Sequence, residues 1–246
     1  MNFHTGFQTD IGRKRKMNQD NGGAFSELGL FVVADGMGGH KGGEIASAIV
    51  VETLPESVKK TQQNKDWNQK DTLAQAIQKA NSNIYERSQK NENLSGMGTT
   101  TTAILFKDDN LTIGHVGDSR CYYLQKDKIW QLTRDHSLVQ EKLRAGLITR
   151  EQVESDLMRN IITRSVGYEP EVDVELYDMT CCPGDTFLIC SDGLTGQVTD
   201  SEVLKITQKY LSKPKKLALA VKDLIKAAND NGGDDNITVL LVQVGN

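Results

Sequence analysis

The sequence predicts an α+β fold, with largely antiparallel sheets covered by helices. Three observations point there. Strand candidates come first, then two helices, then strands, then helices and a last strand; this is not the regular alternation of a parallel sheet. The strand candidates are short and rich in β-branched and aromatic residues, as residues on a pleated surface tend to be. The helix candidates place apolar residues at helical spacing, as one buried face requires.

The elements follow in order. Residues 3–10 are short and extended, and the basic stretch GRKRKMNQD (12–20) reads as a polar turn. LGLFVVAD (28–35) is a buried strand, apolar and bounded by a breaker. After a run of glycines, EIASAIVVETL (44–54) suits a helix stopped near Pro55. The polar residues 61–71 form a loop. Leu73, Ala76, Ile77, Ala80 and Ile84 then share one face of a helix running to about Lys90. MGTTTTAILF (97–106), NLTIGHVGDSRCYYLQ (110–125) and IWQL (129–132) read as strands. Residues 137–160 are short, charged helices, an excursion from the main sheet. EVDVELYDM (171–179) alternates as a half-buried strand, and DTFLICSD (185–192) is a buried one. Pro214 fits a helix start. Leu217, Val221, Leu224, Ile225 and Ala228 make that helix's apolar face, and NITVLLVQV (236–244) is the closing strand.

Composition bounds the function. The chain has 246 residues and a net charge of -4, so no basic field favours nucleic acid. The first ten residues lack the plan of a signal peptide. No apolar run approaches the roughly 18 residues of a membrane span. The four cysteines form no C-x-x-C, and the adjacent pair Cys181–Cys182 is too close for an ordinary bridge. Reduced thiols in a cytoplasmic protein are the expectation.

Acids recur at strand ends. Asp35 precedes Gly36, Asp192 precedes Gly193, Asp118 follows TIGHVG, and Asp234 and Asp235 precede the last strand. A lone Asp-Gly is a turn far more often than a ligand. Four such ends are different, because two carboxylates about 4 Å apart repel by roughly 4 kcal/mol at an effective dielectric of about 20. If the ends converge, a proton, an arginine or a cation must relieve them. No His/Cys cluster accompanies the acids, so zinc is disfavoured and oxygen ligation points to Mg²⁺ or Mn²⁺. Such ions would clamp a phosphoryl group, with Arg13 or Arg15 as the phosphate-binding arginine or as part of a solvated basic loop. Walker A, the G-x-G-x-x-G fingerprint and a G-x-S-x-G elbow are all missing.

Seven blocks, in order and covering nearly the whole chain, resemble the metal-dependent protein phosphatases of type 2C in their bacterial form. They are TDIGRKRKMNQD, VVADGMGGHKGGE, GMGTTTTAILF, GHVGDSRCYYL, LTRDHSLV, GDTFLICSDGLTG and GGDDNITVLLVQV. The resemblance implies a single catalytic domain over residues 1–246: a four-layer α-β-β-α sandwich with a flap at roughly 137–165. It implies two Mn²⁺ or Mg²⁺ ions bridged by Asp35. Asp192 and Asp235 would complete one, and the Gly36 carbonyl would help bind the other. A third, weaker ion would use Asp118 with Asp192. Asp20 would hold metal-bound water, and Arg15, through the G-x-x-R-x-x-N-x-D motif, would grip phosphate. Met37 stands where many eukaryotic members have histidine. That leaves His40, or metal-bound water, to protonate the leaving alcohol. His115 is expected to be a satisfied core histidine, and His136 to order a turn.

The implied reaction is in-line attack of a metal-bridging hydroxide on phosphoserine or phosphothreonine in proteins. The implied setting is a cytoplasmic monomer opposing a serine/threonine kinase or acting on stress-response regulators. A pseudo-phosphatase that only binds phosphoproteins is the alternative; a nuclease is disfavoured by the acidic charge and the lack of a basic, aromatic stripe.

Overall fold

The computed structural model describes residues 1–153 and 156–245, without the side chains of His40 and Lys41. In chain order the elements are β1 (Phe3–Asp10), β2 (Asp20–Phe25), β3 (Leu30–Met37), α1 (Gly39–Thr61), α2 (Gln69–Gln89), β4 (Gly98–Thr99), β5 (Thr101–Lys107), β6 (Asn110–Val116), β7 (Arg120–Gln125), β8 (Lys128–Gln131), α3 (Leu138–Arg144), α4 (Arg150–Val153), β9 (Glu175–Thr180), β10 (Thr186–Cys190), α5 (Asp192–Thr195), α6 (Asp200–Thr207), α7 (Leu217–Asp230) and β11 (Ile237–Val244).

Two antiparallel sheets result. One runs β1-β11-β10-β7-β8. The other runs β2-β3-β5-β6-β9, with β4 added beside β3. The alternation of side chains along the strands builds three apolar layers. On β3, Phe31 and Val33 point between the sheets to meet Ile104, Phe187 and Leu240. Leu30, Val32 and Ala34 point the other way, onto Leu54, Ile77 and Ile84 of α1 and α2. On the outer face of the β1-β11-β10-β7-β8 sheet, Leu188, Val239 and Leu241 pack under Val221 and Leu224 of α7. The central strands are buried on both faces, which is why they read as unbroken apolar runs. The layers are α-β-β-α, as expected.

Three elements depart from the sequence reading. β2, DNGGAF, lies where only a polar turn was expected to end. Its composition is poor for a strand, but full pairing with β3 decides. α1 does not stop near Pro55; the proline lies inside a 23-residue helix. An interior proline costs roughly 3 kcal/mol, and the buried row Val50, Leu54 and Val58 across it outweighs that. The stretch 110–125 is two strands in different sheets, joined at Gly117–Ser119, so Asp118 sits in the turn where the chain crosses from one sheet to the other, just past the end of β6.

Candidate active site

Five acids meet at one end of the sandwich. Asp20 opens β2 directly opposite Asp35 on β3. Asp192 is the first residue of α5, just after β10. Asp118 turns the chain between β6 and β7, and Asp235 stands two residues ahead of β11. Asp20 and Asp118 are buried; Asp35, Asp192 and Asp235 are half-buried. A cleft of about 550 Å³ is lined by Arg15, Gln19, Asp35, Met37, Asp192 and Asp235. An adjoining hollow of about 430 Å³ shares Asp118, Asp192 and Asp235 with it.

The electrostatics confirm that the acids crowd one another. Burial, followed by the charges of Asp20, Asp192, Asp118 and Asp235, holds the Asp35 carboxyl well above the usual carboxylate range. Burial pushes Asp20 up to about 7, against the hydrogen bond from Ser191. Burial, with Asp192 and Asp135 beside it, raises Asp118. Burial and Asp235 raise Asp192. One buried oxygen on each of Asp20, Asp118 and Asp192 has no hydrogen-bond partner. A buried acceptor left so is costly unless something cationic faces it, and an all-oxygen donor set suits a hard divalent cation. The residues therefore fit the ions expected. They do not yet form a closed cage: among the described residues no three His, Cys, Asp or Glu side chains close round one point. Asp235 is engaged elsewhere, taking Arg15 Nη2 at 2.5 Å on Oδ2 and its neighbour's Asn236 N–H at 2.8 Å on Oδ1.

The frame that holds the acids is polar and mostly went unnoticed in the sequence. Asp35 N–H donates to Thr100 Oγ1 at 2.9 Å, and Asp35 C=O accepts from Thr100 N–H and Thr99 Oγ1, each at 2.8 Å. Ser191 Oγ donates to Asp20 Oδ2 at 2.7 Å. Asn236 pins the basic loop, donating to the carbonyls of Ile11 and Met17 and accepting from Gln19 N–H. Four consecutive buried threonines, 99–102, were the available signal.

The glycines have a packing role. A Cβ on Gly36 would lie 2.1 Å from Gly43 O, and one on Gly193 would lie 1.9 Å from Asn236 O. These contacts seat the first turn of α1 against β3, and the start of α5 against the entry to β11. The two candidate arginines separate: Arg15 lines the cleft, whereas Arg13 N–H is tied to Gly233 O at 2.7 Å. Asp234 accepts from Gln197 rather than joining the five acids. The His40 side chain lies outside the described residues. His115 is buried and satisfied, between Thr102 Oγ1 and Arg134 O at 2.9 Å each.

Among the described residues no helix is long and apolar enough to cross a membrane. Residues 10–240 match the family model described as Protein phosphatase 2C. The chain is 41% identical over 250 aligned positions to the serine/threonine phosphatase stp of Listeria innocua, covering 98% of this chain and 96% of that one. It superposes on the crystal structure of the Mycobacterium tuberculosis serine/threonine phosphatase PstP/Ppp with a TM-score of 0.91, at 34% identity and full coverage (100%) of both chains. The catalytic domain of PstP in complex with two manganese ions is similar at a TM-score of 0.88 and 34% identity, covering 99% of each chain. By these likenesses the chain belongs to the protein phosphatase 2C family and is a serine/threonine phosphatase of that metal-dependent type.

Proposed function

We propose that the chain removes phosphate from phosphoserine and phosphothreonine in proteins, with Asp35, Asp192 and Asp235 and the Gly36 carbonyl holding two Mn²⁺ or Mg²⁺ ions. Asp118, with Asp192, holds a third and weaker one. The observation that carries this reading is the set of partnerless buried oxygens on Asp20, Asp118 and Asp192 beside a solvent-reachable arginine. When bound, the ions would lower the pKa of a water so that hydroxide is available at neutral pH as the nucleophile toward phosphorus, and would offset charge on the phosphoryl oxygens.

The chain's own residues do the rest. Arg15 is half exposed on a loop pinned by Asn236. Its guanidinium can leave Asp235 and present its planar fork to two phosphoryl oxygens. Asp20, anchored by Ser191 through one oxygen, keeps the other to orient water. His40 or a water protonates the departing serine or threonine oxygen. Residues 137–165 act as a flap of a single catalytic domain, and Asn160 and Ile162 of that segment already line the cleft. The enzyme works as a cytoplasmic monomer, consistent with free cysteines throughout, and opposes a serine/threonine kinase. Met37 in the cleft favours the other reading, a binding module without turnover; five crowded acids favour hydrolysis, since mere phosphate binding gains nothing from them.

The test is phosphate release from a phosphothreonine peptide, with Mn²⁺ and with chelator. Release that requires Mn²⁺ supports hydrolysis. Mn²⁺ binding without release supports the binding module.

A further inference from the structure

The crossover turn between β6 and β7, which carries Asp118, is gripped by a residue further along the chain. Gly117 N–H donates to His136 Nδ1 at 3.0 Å, and Gly117 C=O accepts from His136 N–H at 2.8 Å. One residue thus holds both sides of the segment that leads into Asp118. Gly117 has no room for a side chain. Its φ is +110°, and a Cβ there would meet Thr100 Cγ2 at 2.5 Å. His136 is itself enclosed. It is buried, its ring lies 4.8 Å from that of His115, and its Nε2 lies 3.2 Å from Glu175 Oε1, close but outside hydrogen-bond geometry. Glu175 in turn accepts from Tyr177 O–H. Because Nδ1 accepts, the ring proton belongs on Nε2, toward Glu175.

His136 also holds the segment returning from the 137–165 excursion. Its C=O accepts from Thr163 N–H at 2.8 Å, and the next two residues pair with Ile162 and Ile161. Asn160 and Ile162 line the same cleft as Asp118. One residue therefore joins the two, its imidazole holding the turn that bears a proposed ion ligand and its backbone holding the segment beside the substrate cleft.

We propose that His136 is a positioning residue: its Nδ1, by accepting from Gly117 N–H, aims Asp118 at its ion, while its backbone carbonyl ties the same residue to the base of the flap. The inference rests on the reading of Asp118 as an ion ligand. Partners hydrogen-bonded directly to a ligand commonly set metal affinity by about 10- to 100-fold, and His136, acting through the residue before Asp118, is expected at the lower end of that range.

The test compares His136→Asn with His136→Gln, alongside Asp118→Asn. Asparagine keeps an acceptor at the δ position; glutamine moves it one bond outward and leaves Gly117 N–H unpaired. Mn²⁺ affinity is read by calorimetry, the Mn²⁺ requirement by turnover, and folding by melting of the chelated proteins. The expected result is that His136→Gln and Asp118→Asn weaken the loosest Mn²⁺ by about tenfold or more, while His136→Asn stays within about threefold of wild type. If Asp118→Asn weakens Mn²⁺ and a folded His136→Gln does not, the positioning role is overturned and the Asp118 reading stands. Equal loss in both His136 variants also overturns it, because the Nδ1 acceptor is then not what matters. An Asp118→Asn variant that titrates Mn²⁺ like wild type removes the reading beneath it.

Discussion

Arg15 and Asp235 show how one contact can serve two states. Their pair, at 2.5 Å, is half exposed, so by itself it is worth little to stability. It occupies an oxygen that an ion would use. Arg15→Ala is therefore expected to raise KM for phosphopeptides by about tenfold, while Mn²⁺ affinity stays level or tightens. Calorimetry separates the two effects, and a loss of Mn²⁺ binding would reassign Arg15. Asp192→Asn and Asp235→Asn should act oppositely. Each removes a negative donor, so turnover at limiting Mn²⁺ should fall by about 100-fold or more. Near-wild-type turnover at limiting Mn²⁺ would remove either acid from the ion site. At this scale much was legible in the sequence. Aspartate beside glycine at the ends of apolar runs is a visible pattern, as is the choice of Arg15 over Arg13 from its motif. Ser191, Thr100 and Asn236 were not legible. A lone serine, threonine or asparagine has many satisfactory local partners, and only the fold shows which it takes.

Elements place those acids by backbone contact. β3 and α1 meet through Gly36 and Gly43, and α5 meets the entry to β11 through Gly193. Gly193→Ala puts a Cβ into the Asn236 carbonyl, a backbone atom that cannot rotate away. We expect a loss of about 1–3 kcal/mol from that overpacking, with a raised Mn²⁺ requirement because Asp192 is its neighbour. Denaturant melts and Mn²⁺ titrations of the same variant check this; an unchanged melt would show that the two segments have room to part. The sequence reading misjudged elements for related reasons. β2 has little strand propensity and is held by its pairing to β3. Pro55 is a sound stop signal locally, but the buried face of α1 continues through it. Local preference is worth fractions of a kcal/mol per residue, whereas burying a leucine is worth about 1.5–3 kcal/mol.

For the whole molecule, the acid cluster links stability to pH and to metal. Asp20, Asp35, Asp118 and Asp192 all have folded pKa values raised above the ordinary 3.8. Between that value and the raised one, the folded metal-free chain binds more protons than the unfolded chain. Its stability therefore falls as pH rises through that window; for Asp20 the window runs from 3.8 to about 7. Chelated protein should lose stability as the pH rises from 5 to 7.5. Mn²⁺ should restore more at pH 7.5 than at pH 5. At 100 times the dissociation constant a bound ion adds about 2.7 kcal/mol, or roughly 5–10 °C in melting temperature for a chain of this size. Scanning calorimetry at the two pH values tests it, and an equal Mn²⁺ shift at both would argue against the cluster as the ion site.

The sequence by itself determined the α+β class, most strands and helices, and the acids Asp35, Asp118, Asp192 and Asp235 with Arg15 near them. Periodicity and residue chemistry are local properties, and they survive in a linear reading. Only the tertiary structure decided that these acids share one end of the sandwich, that Asp20 lies opposite Asp35, and that Asp234 turns away. It alone joined His136 to the turn before Asp118. Those relations depend on strand register and on which sheet edge faces which helix. They are set by contacts between residues more than 200 positions apart, such as the 220 between Arg15 and Asp235, and no local pattern encodes such a distance.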